Sequence, residues 1–271
     1  KLLEKNTEIH WIVQNHSFQS NIGKNHIIKY PKVSDLSSKI SKQFLEISKK
    51  DRACNFFNGN PSHYNYYSKE IKKILTDVKP DMIFGEATLF HELITIHHAK
   101  KLQIKYLFLS SSRFINNRVT FYKNDTMVPF KGSKDKISKK NILNYIENIK
   151  NIKKSKIFNG IIERLKIDKK NSLNFSKRSK IFLSRLMGEK YNTPGLIRKS
   201  ILIVNSIYLN YNWKKSKKIN NTFFKKKKTF SVLFPMQMQP EQNIDVWGFP
   251  YNKQYEFIDK LAKSLNKLNA N

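Results

Sequence analysis

The stretch KPDMIFGEATLFHELITIHHAKKLQIKYLFLSSSRF, residues 79 to 114, constrains the fold more than any other part of the chain. Pro80 precedes a short apolar run, Met82 to Phe84, that suits a strand, and Gly85 with Glu86 forms its exit. Thr88 suits an N-cap, and Leu89, Leu93, Ile96 and Ala99 fall on one face of the helix that would follow. After Gln103 the segment IKYLFLS suits a second strand. Strand, helix and strand in so short a span predict a right-handed crossover joining two neighbouring parallel strands. The first half of the chain is therefore expected to be an α/β sheet domain.

The flanking sequence extends that pattern. EIHWIV, from Glu8 to Val13, suits a strand, with the polar QNHSF as the loop at its carboxyl end. Helical spacing runs from about Ser34 to Lys49 through Leu36, Ile40, Phe44 and Ile47, and from Ser68 to Val78 through Ile71 and Leu75. The aromatic NFFNGNPSHYNYY between them is turn-rich. From Lys131 to Lys190 lysines accompany Ile142, Ile146, Ile149 and Ile152 at helical spacing, which predicts surface helices with lysines facing water in preference to a membrane-binding helix. Thr193 and Pro194 then suit the start of an apolar helix reaching about Tyr211.

Lys225 to Lys228 form a linker-like charge run. TFSVLFPM after it suits a strand, and Tyr255, Ile258, Leu261, Leu265 and Leu268 share a helix face. The expected division is 1–195 as an N-terminal α/β domain with a Lys-rich helical insertion, 196–228 as helix and linker, and 229–271 as the start of a second α/β domain. A segment of 43 residues is smaller than the roughly 100 residues of an ordinary domain, so the second domain is expected to be incomplete.

A net charge of +32 points at first to nucleic acid, an anionic membrane or another polyanion. The chain nevertheless has 45 Lys against 7 Arg, alongside 29 Asn. Phosphate-gripping surfaces enlist the planar arginine fork, so specific nucleic-acid binding is disfavoured and a solvated lysine surface is expected. The expected location is cytoplasmic, with peripheral contact with an anionic membrane at the inner face of the cytoplasmic membrane as a further candidate partner. One cysteine, Cys54, excludes an internal disulfide. ILIVNSIYL from Ile201 is too short to span a bilayer and is broken by Asn205.

In open α/β sheets ligands bind beyond the carboxyl ends of the strands. That rule selects Gln14, Asn15 and His16, then Gly85 and Glu86, then Ser110, Ser111, Ser112 and Arg113, and finally Gln237 to Glu241. On an extended strand Gln237 and Gln239 would face one side with Glu241, presenting amides and a carboxylate to sugar hydroxyls or a ribose. Pro240 would end the pairing. The alternative is that the glutamines cap the next helix. No Cys or His set has metal spacing, and neither a phosphate-loop lysine motif nor an intact dinucleotide glycine signature occurs, so neither metal nor cofactor is expected.

FPMQMQPEQNIDVWG, followed by a helix with Gln254, Ile258 and Leu261, resembles the start of the second domain in bacterial capsule and surface polysaccharide biosynthesis proteins, whose strand exit commonly carries a Gln-Pro-Glu signature. The crossover at 81–114, with its serine-rich exit and Arg113 and Arg118, is similar to their first domain. The resemblance implies two Rossmann-like domains in the GT-B arrangement, acceptor on the first and donor sugar nucleotide on the second. It implies a glycosyltransferase that moves a sugar to a glycan or lipid-linked acceptor, with the nucleotide sugar as substrate. The chain departs from the pattern by stopping at NKLNAN before a Lys-Glu-His-Pro type signature, and the first strand with its glycine-bearing turn is expected upstream of Lys1.

On that reading Glu86 is the candidate general base for the acceptor hydroxyl, with His16 as its rival. The alternative for Glu86 is a helix cap, and for His97 and His98 a pairing with the helix dipole. Gln237, Gln239, Pro240 and Glu241, with Ser110, Ser111 and Ser112, would hold substrate, while Arg113 and Arg118 would neutralise a diphosphate. Two other functions fit the same residues: a non-catalytic basic protein binding polyanion or nucleic acid, and a GT-B-fold sugar-nucleotide epimerase or polyol-phosphate transferase.

Overall fold

The computed structural model describes residues 7–14, 18–56, 59–111, 119–131, 138–151, 196–216 and 242–269, with isolated positions 179, 183, 191, 232, 234 and 236. The chain divides into two compact units, each drawn from three segments. The first holds Lys1–Asp35, Lys69–Glu86 and His98–Glu189, the second Leu36–Ser68, Ala87–His97 and Lys190–Asn271. Among the described residues the bounded helices are, in chain order, α1 (Lys42–Ser48), α2 (Arg52–Phe56), α3 (Tyr64–Val78), α4 (Phe90–Lys101), α5 (Lys139–Asn151), α6 (Leu196–Ser216), α7 (Gln242–Asp245) and α8 (Gln254–Asn269).

In the first unit β1 (His10–Val13) and β2 (Lys24–Ile27) pair in parallel, His10 opposite Lys24 and Val13 opposite Ile27. The connection between them is held by the Trp11 indole, which donates to the Ile22 carbonyl at 2.7 Å. Gly23 ends it at φ +80, where a Cβ would lie 2.3 Å from the Ile9 carbonyl oxygen, so only glycine fits. A second sheet has the order β3–β4–β5, formed by Met82–Gly85, Lys105–Ser111 and Val119–Lys123. β3 and β4 are parallel neighbours, with Ile83 opposite Tyr106, so the strand–helix–strand pattern of residues 79–114 is borne out.

β5 runs antiparallel to β4, from Leu107 opposite Lys123 to Ser111 opposite Val119, and was not anticipated. Its residues VTFYK are strand formers, but nothing in them marks β4 as the antiparallel partner, and only the assembled ladder shows that pairing. Ser110 and Ser111 therefore belong to a ladder and not to a loop after the strand. The architecture is mixed α/β, with two small sheets among the described residues. Val13, Ile28, Ile71, Leu75, Ala99, Tyr106, Leu107 and Phe108 are buried here. The turn from α4 into β4 closes when Ile104 N–H donates to the Ala99 carbonyl, with Gln103 left-handed at φ 59. α5 forms where lysine-rich helical spacing predicts it, but Ile142 and Ile146 are exposed.

The second unit begins with α1, shorter than its periodicity suggests. Ser41 Oγ accepts from Phe44 N–H and caps the helix there, while Val33–Asp35 makes only a 3-10 turn. Asn60 and Pro61 set up the entry to α3 in the same way, through Asn60 Oδ1 and Ser62 N–H. Tyr64 and Tyr67 at the start of α3 are buried in this unit, and the helix's later residues, with Ile71 and Leu75 at the same helical spacing, belong to the first unit. α4 is the expected helix, but Thr88 does not cap it by accepting. Glu92 reaches back instead, taking the Thr88 and Leu89 N–H groups at 2.8 and 2.9 Å and the Thr88 hydroxyl at 3.1 Å. An ionised acceptor outbids a hydroxyl for those donors. α8 forms as predicted, with Ile258, Leu261 and Leu265 half-buried, and Asn252 fastens the preceding segment by donating to the Lys49 carbonyl at 2.8 Å. Of the strand expected at 229–236, positions 232, 234 and 236 are described and lie in neither strand nor helix. Phe234 packs on Phe257 of α8, ring centroids 5.3 Å apart.

Candidate functional site

Glu86 stands one residue past β3, at the carboxyl edge of the parallel pair. Its backbone is fixed by Tyr106 of the neighbouring strand, whose buried phenol donates to the Glu86 carbonyl. Gly85 makes this approach possible, because a Cβ there would meet the Tyr106 oxygen at 2.1 Å. The main chain of Glu86 is thus held while its side chain is exposed. Among the described residues its carboxylate has no hydrogen bond or ion pair. Register puts Ser110 at the same edge on β4, two residues beyond the Gly85–Phe108 pair and opposite Thr120 of β5. The two residues share that edge of the first unit. A free carboxylate on a fixed backbone, beside hydroxyl-bearing strand ends, can accept a proton from an alcohol.

The capping role considered for Glu86 belongs to Glu92. Because an internal carboxylate fills the first turn of α4, that helix end is no vacant cradle for a diphosphate. His97 lies edge-on to Phe44, centroids 5.8 Å apart, and His98 is buried. His16, Ser112, Arg113, Arg118, Gln237, Gln239, Pro240 and Glu241 lie outside the described residues, as does the side chain of Ser111.

The structure assembles two polar clusters that sequence reasoning missed. In the second unit Tyr64 donates its phenol to Asp51 Oδ2 at 2.9 Å, and Cys54 Sγ lies 3.8 Å from the same phenol. Asp51 Oδ1 also accepts from Ala53 N–H at 3.2 Å, starting α2. His63 is enclosed beside them, stacked on Tyr191 at 4.0 Å and edge-on to Phe90 at 4.4 Å. Its Nδ1 faces the Asn60 carbonyl at 3.1 Å, which fixes the proton on Nδ1 and leaves Nε2 as a buried lone pair without a hydrogen bond.

Burial is the first cause of every shift in this cluster, and each shift favours the neutral form. It raises the Asp51 carboxyl and the Tyr64 phenol, pushes the Cys54 thiol up to about 12 and lowers His63 to about 4. A thiol so hard to ionise is no nucleophile at neutral pH. The cluster is built to hold the fold, and the aromatic DRACNFFNGNPSHYNYY was its only outward sign.

The second cluster joins the first sheet's two strands. His10 Nδ1 and His26 Nε2 are 2.7 Å apart, their rings stacked at 5.0 Å, and His10 Nε2 lies 3.0 Å from Glu8. Burial, then His10 and Lys24, lower the His26 pKa against an opposing pull from Asp77. Register explains the meeting, since Ile12 is opposite His26 and His10 sits on the same face two residues back. Among the described residues no group of three or more His, Cys, Asp or Glu could hold a metal ion, and no helix is long and apolar enough to cross a membrane. Comparison with protein-family models, curated proteins and solved structures finds no match.

Proposed function

We propose that the chain forms part of a GT-B-type glycosyltransferase of bacterial surface polysaccharide synthesis, which moves a sugar from a nucleotide donor to a glycan or lipid-linked acceptor. The observation that carries this reading is the exposed Glu86 carboxylate on a clamped backbone at the carboxyl edge of parallel strands. The resemblance of residues 234–248 to the family's donor-domain entry supports it. In an inverting transfer Glu86 takes the proton from the acceptor hydroxyl as its oxygen bonds to the anomeric carbon. The bond to the nucleotide phosphate breaks, and its electron pair leaves with the phosphate. Arg113 and Arg118 offset the charge that grows there. Gln237, Gln239 and Glu241 bind the donor, and His16 is the substitute base if Glu86 serves another purpose.

Glu86→Gln keeps the shape and removes the base. Sugar transfer is expected to fall by roughly 10²- to 10⁴-fold, with an unchanged thermal melt and unchanged binding of the nucleoside diphosphate. Glu241→Gln should weaken nucleoside-diphosphate binding instead. Full transfer by Glu86→Gln removes Glu86 from the mechanism. Failure of a panel of nucleoside diphosphates to bind the parent protein removes the donor class.

A further inference from the structure

The composition of α6 does not match its surroundings. It spans 21 residues, roughly 31 Å at 1.5 Å per residue. Ile197 is 81% exposed, and Val204, Ile207 and Leu209 are each more than 60% exposed. Residues 197, 201, 204, 208 and 211 follow one side of the helix, while 203 and 207 lie on another, so exposed apolar groups occupy more than one face. Water-facing helices do not carry such an area without something to cover it.

Charge indicates what that is. No Asp or Glu occurs between Glu189 and Glu241, although the chain has 20 elsewhere. The same interval holds eleven Lys and Arg, eight of them between Lys214 and Lys228. The lysine excess of the whole chain does not explain a missing set of acids. An exposed apolar helix beside a polybasic run supplies the two signals that stable attachment to an anionic bilayer requires, apolar insertion and electrostatic attraction. Asn205, Ser206, Asn210 and Asn212 interrupt the apolar run, which suits a helix lying at the surface, where amides reach headgroups. Tyr208 and Tyr211 are residue types favoured at that depth.

We propose that α6 lies in the plane of an anionic bilayer surface, with its exposed aliphatic side chains at the boundary between headgroups and acyl chains and the basic sequence around it drawn to the headgroups. This inference stands on α6 and its charge alone and survives if the sugar-transfer reading fails.

Vesicle sedimentation tests it with the whole chain, comparing phosphatidylcholine vesicles with vesicles that also contain phosphatidylglycerol. The chain should sediment with the anionic vesicles, stay behind with the neutral ones, and be released as salt rises. The double variant Ile203→Asn/Ile207→Asn should lose at least about tenfold in partition. Its circular dichroism and melt without vesicles should match the parent, because both side chains are exposed. Replacing Lys225 to Lys228 with glutamine should lose about tenfold or more and flatten the salt dependence. Equal partition onto neutral vesicles overturns the proposal, as does a double variant that binds like the parent, which would reduce the attraction to lysine charge alone. Self-association in solution that the double variant abolishes would assign the face to a second copy of the chain and likewise overturn it.

Discussion

α4 and α6 are both apolar on more than one side, yet one is buried and the other is open to water. Phe90, Leu93, Ile94, Ile96 and Ala99 of α4 are all buried, and even Thr95 and His98 between them are covered. Along α6 no described side chain is buried. The partners of the first half of α4 come from nearby sequence. Phe90 meets His63, Tyr64 and Tyr67, delivered by the Asn60–Pro61 turn, and Glu92 secures the first turn. Short connections to β3 and β4 limit where the helix can go. Hydrophobicity on every side thus says only that a helix needs cover. Whether the chain supplies that cover depends on what lies close in space.

The sharpest way to break the contrast is to truncate one side chain in each helix. Phe90→Ala empties the centre of an aromatic cluster and should cost roughly 3 to 5 kcal/mol in denaturant unfolding. Ile203→Ala in α6, measured without vesicles, should change stability by no more than about 0.5 kcal/mol. Equal costs would mean that α6 is covered in solution.

A pH series sharpens the buried side. Below about 6.5 the unfolded chain protonates His63, whereas the folded chain refuses the proton until about 4. Stability from this residue is therefore present above pH 6.5 and lost progressively towards pH 4, by about 3 kcal/mol in all. Asp51 works in the opposite sense. Burial raises its pKa, so its ionised form is a cost in the folded state that is relieved as pH falls through that raised value. Urea titrations across this range should show a steeper loss in Asp51→Asn and little loss in His63→Leu. A parent profile that stays flat while Asp51→Asn is also flat would show that His63 is not shut away from water.

The smallest expected effect lies at the end of α4. Gln103 holds a left-handed conformation that side chains disfavour, with φ 59. Gln103→Gly should raise stability by up to about 1 kcal/mol, since relief of backbone strain is partly offset by the entropy of a more flexible unfolded chain. A melt that drops instead would mean that the Gln103 side chain makes a contact worth more than the strain.

The crossover was legible because both of its signals are local. Apolar runs bounded by Pro80 and Gln103 mark the strands, and Leu93, Ile96 and Ala99 recur at helical spacing. Glu86 was legible for the same reason, as the residue at a strand exit. The Glu92 cap was less so, because Thr88 and Glu92 both suit that end and only the assembled turn decides which accepts. β5, the His10–His26 pair and the Asp51–Tyr64 bond were hidden because each joins residues whose own neighbourhoods carry no mark of the partner.

Periodicity, turn residues and charge, all carried by the sequence alone, determined where α3, α4, α8, β3 and β4 form, and that β3 and β4 run side by side in parallel. Those properties act within a few residues, or through the reach of a short connection. Tertiary structure alone decided that burial disfavours the charged forms of His63, Asp51 and Cys54, that Glu86 is clamped by Tyr106 through the space left by Gly85, and that α4 is covered while no described side chain of α6 is buried. Burial and desolvation depend on everything that surrounds a group, and a residue's immediate neighbours in sequence supply only a small part of that environment.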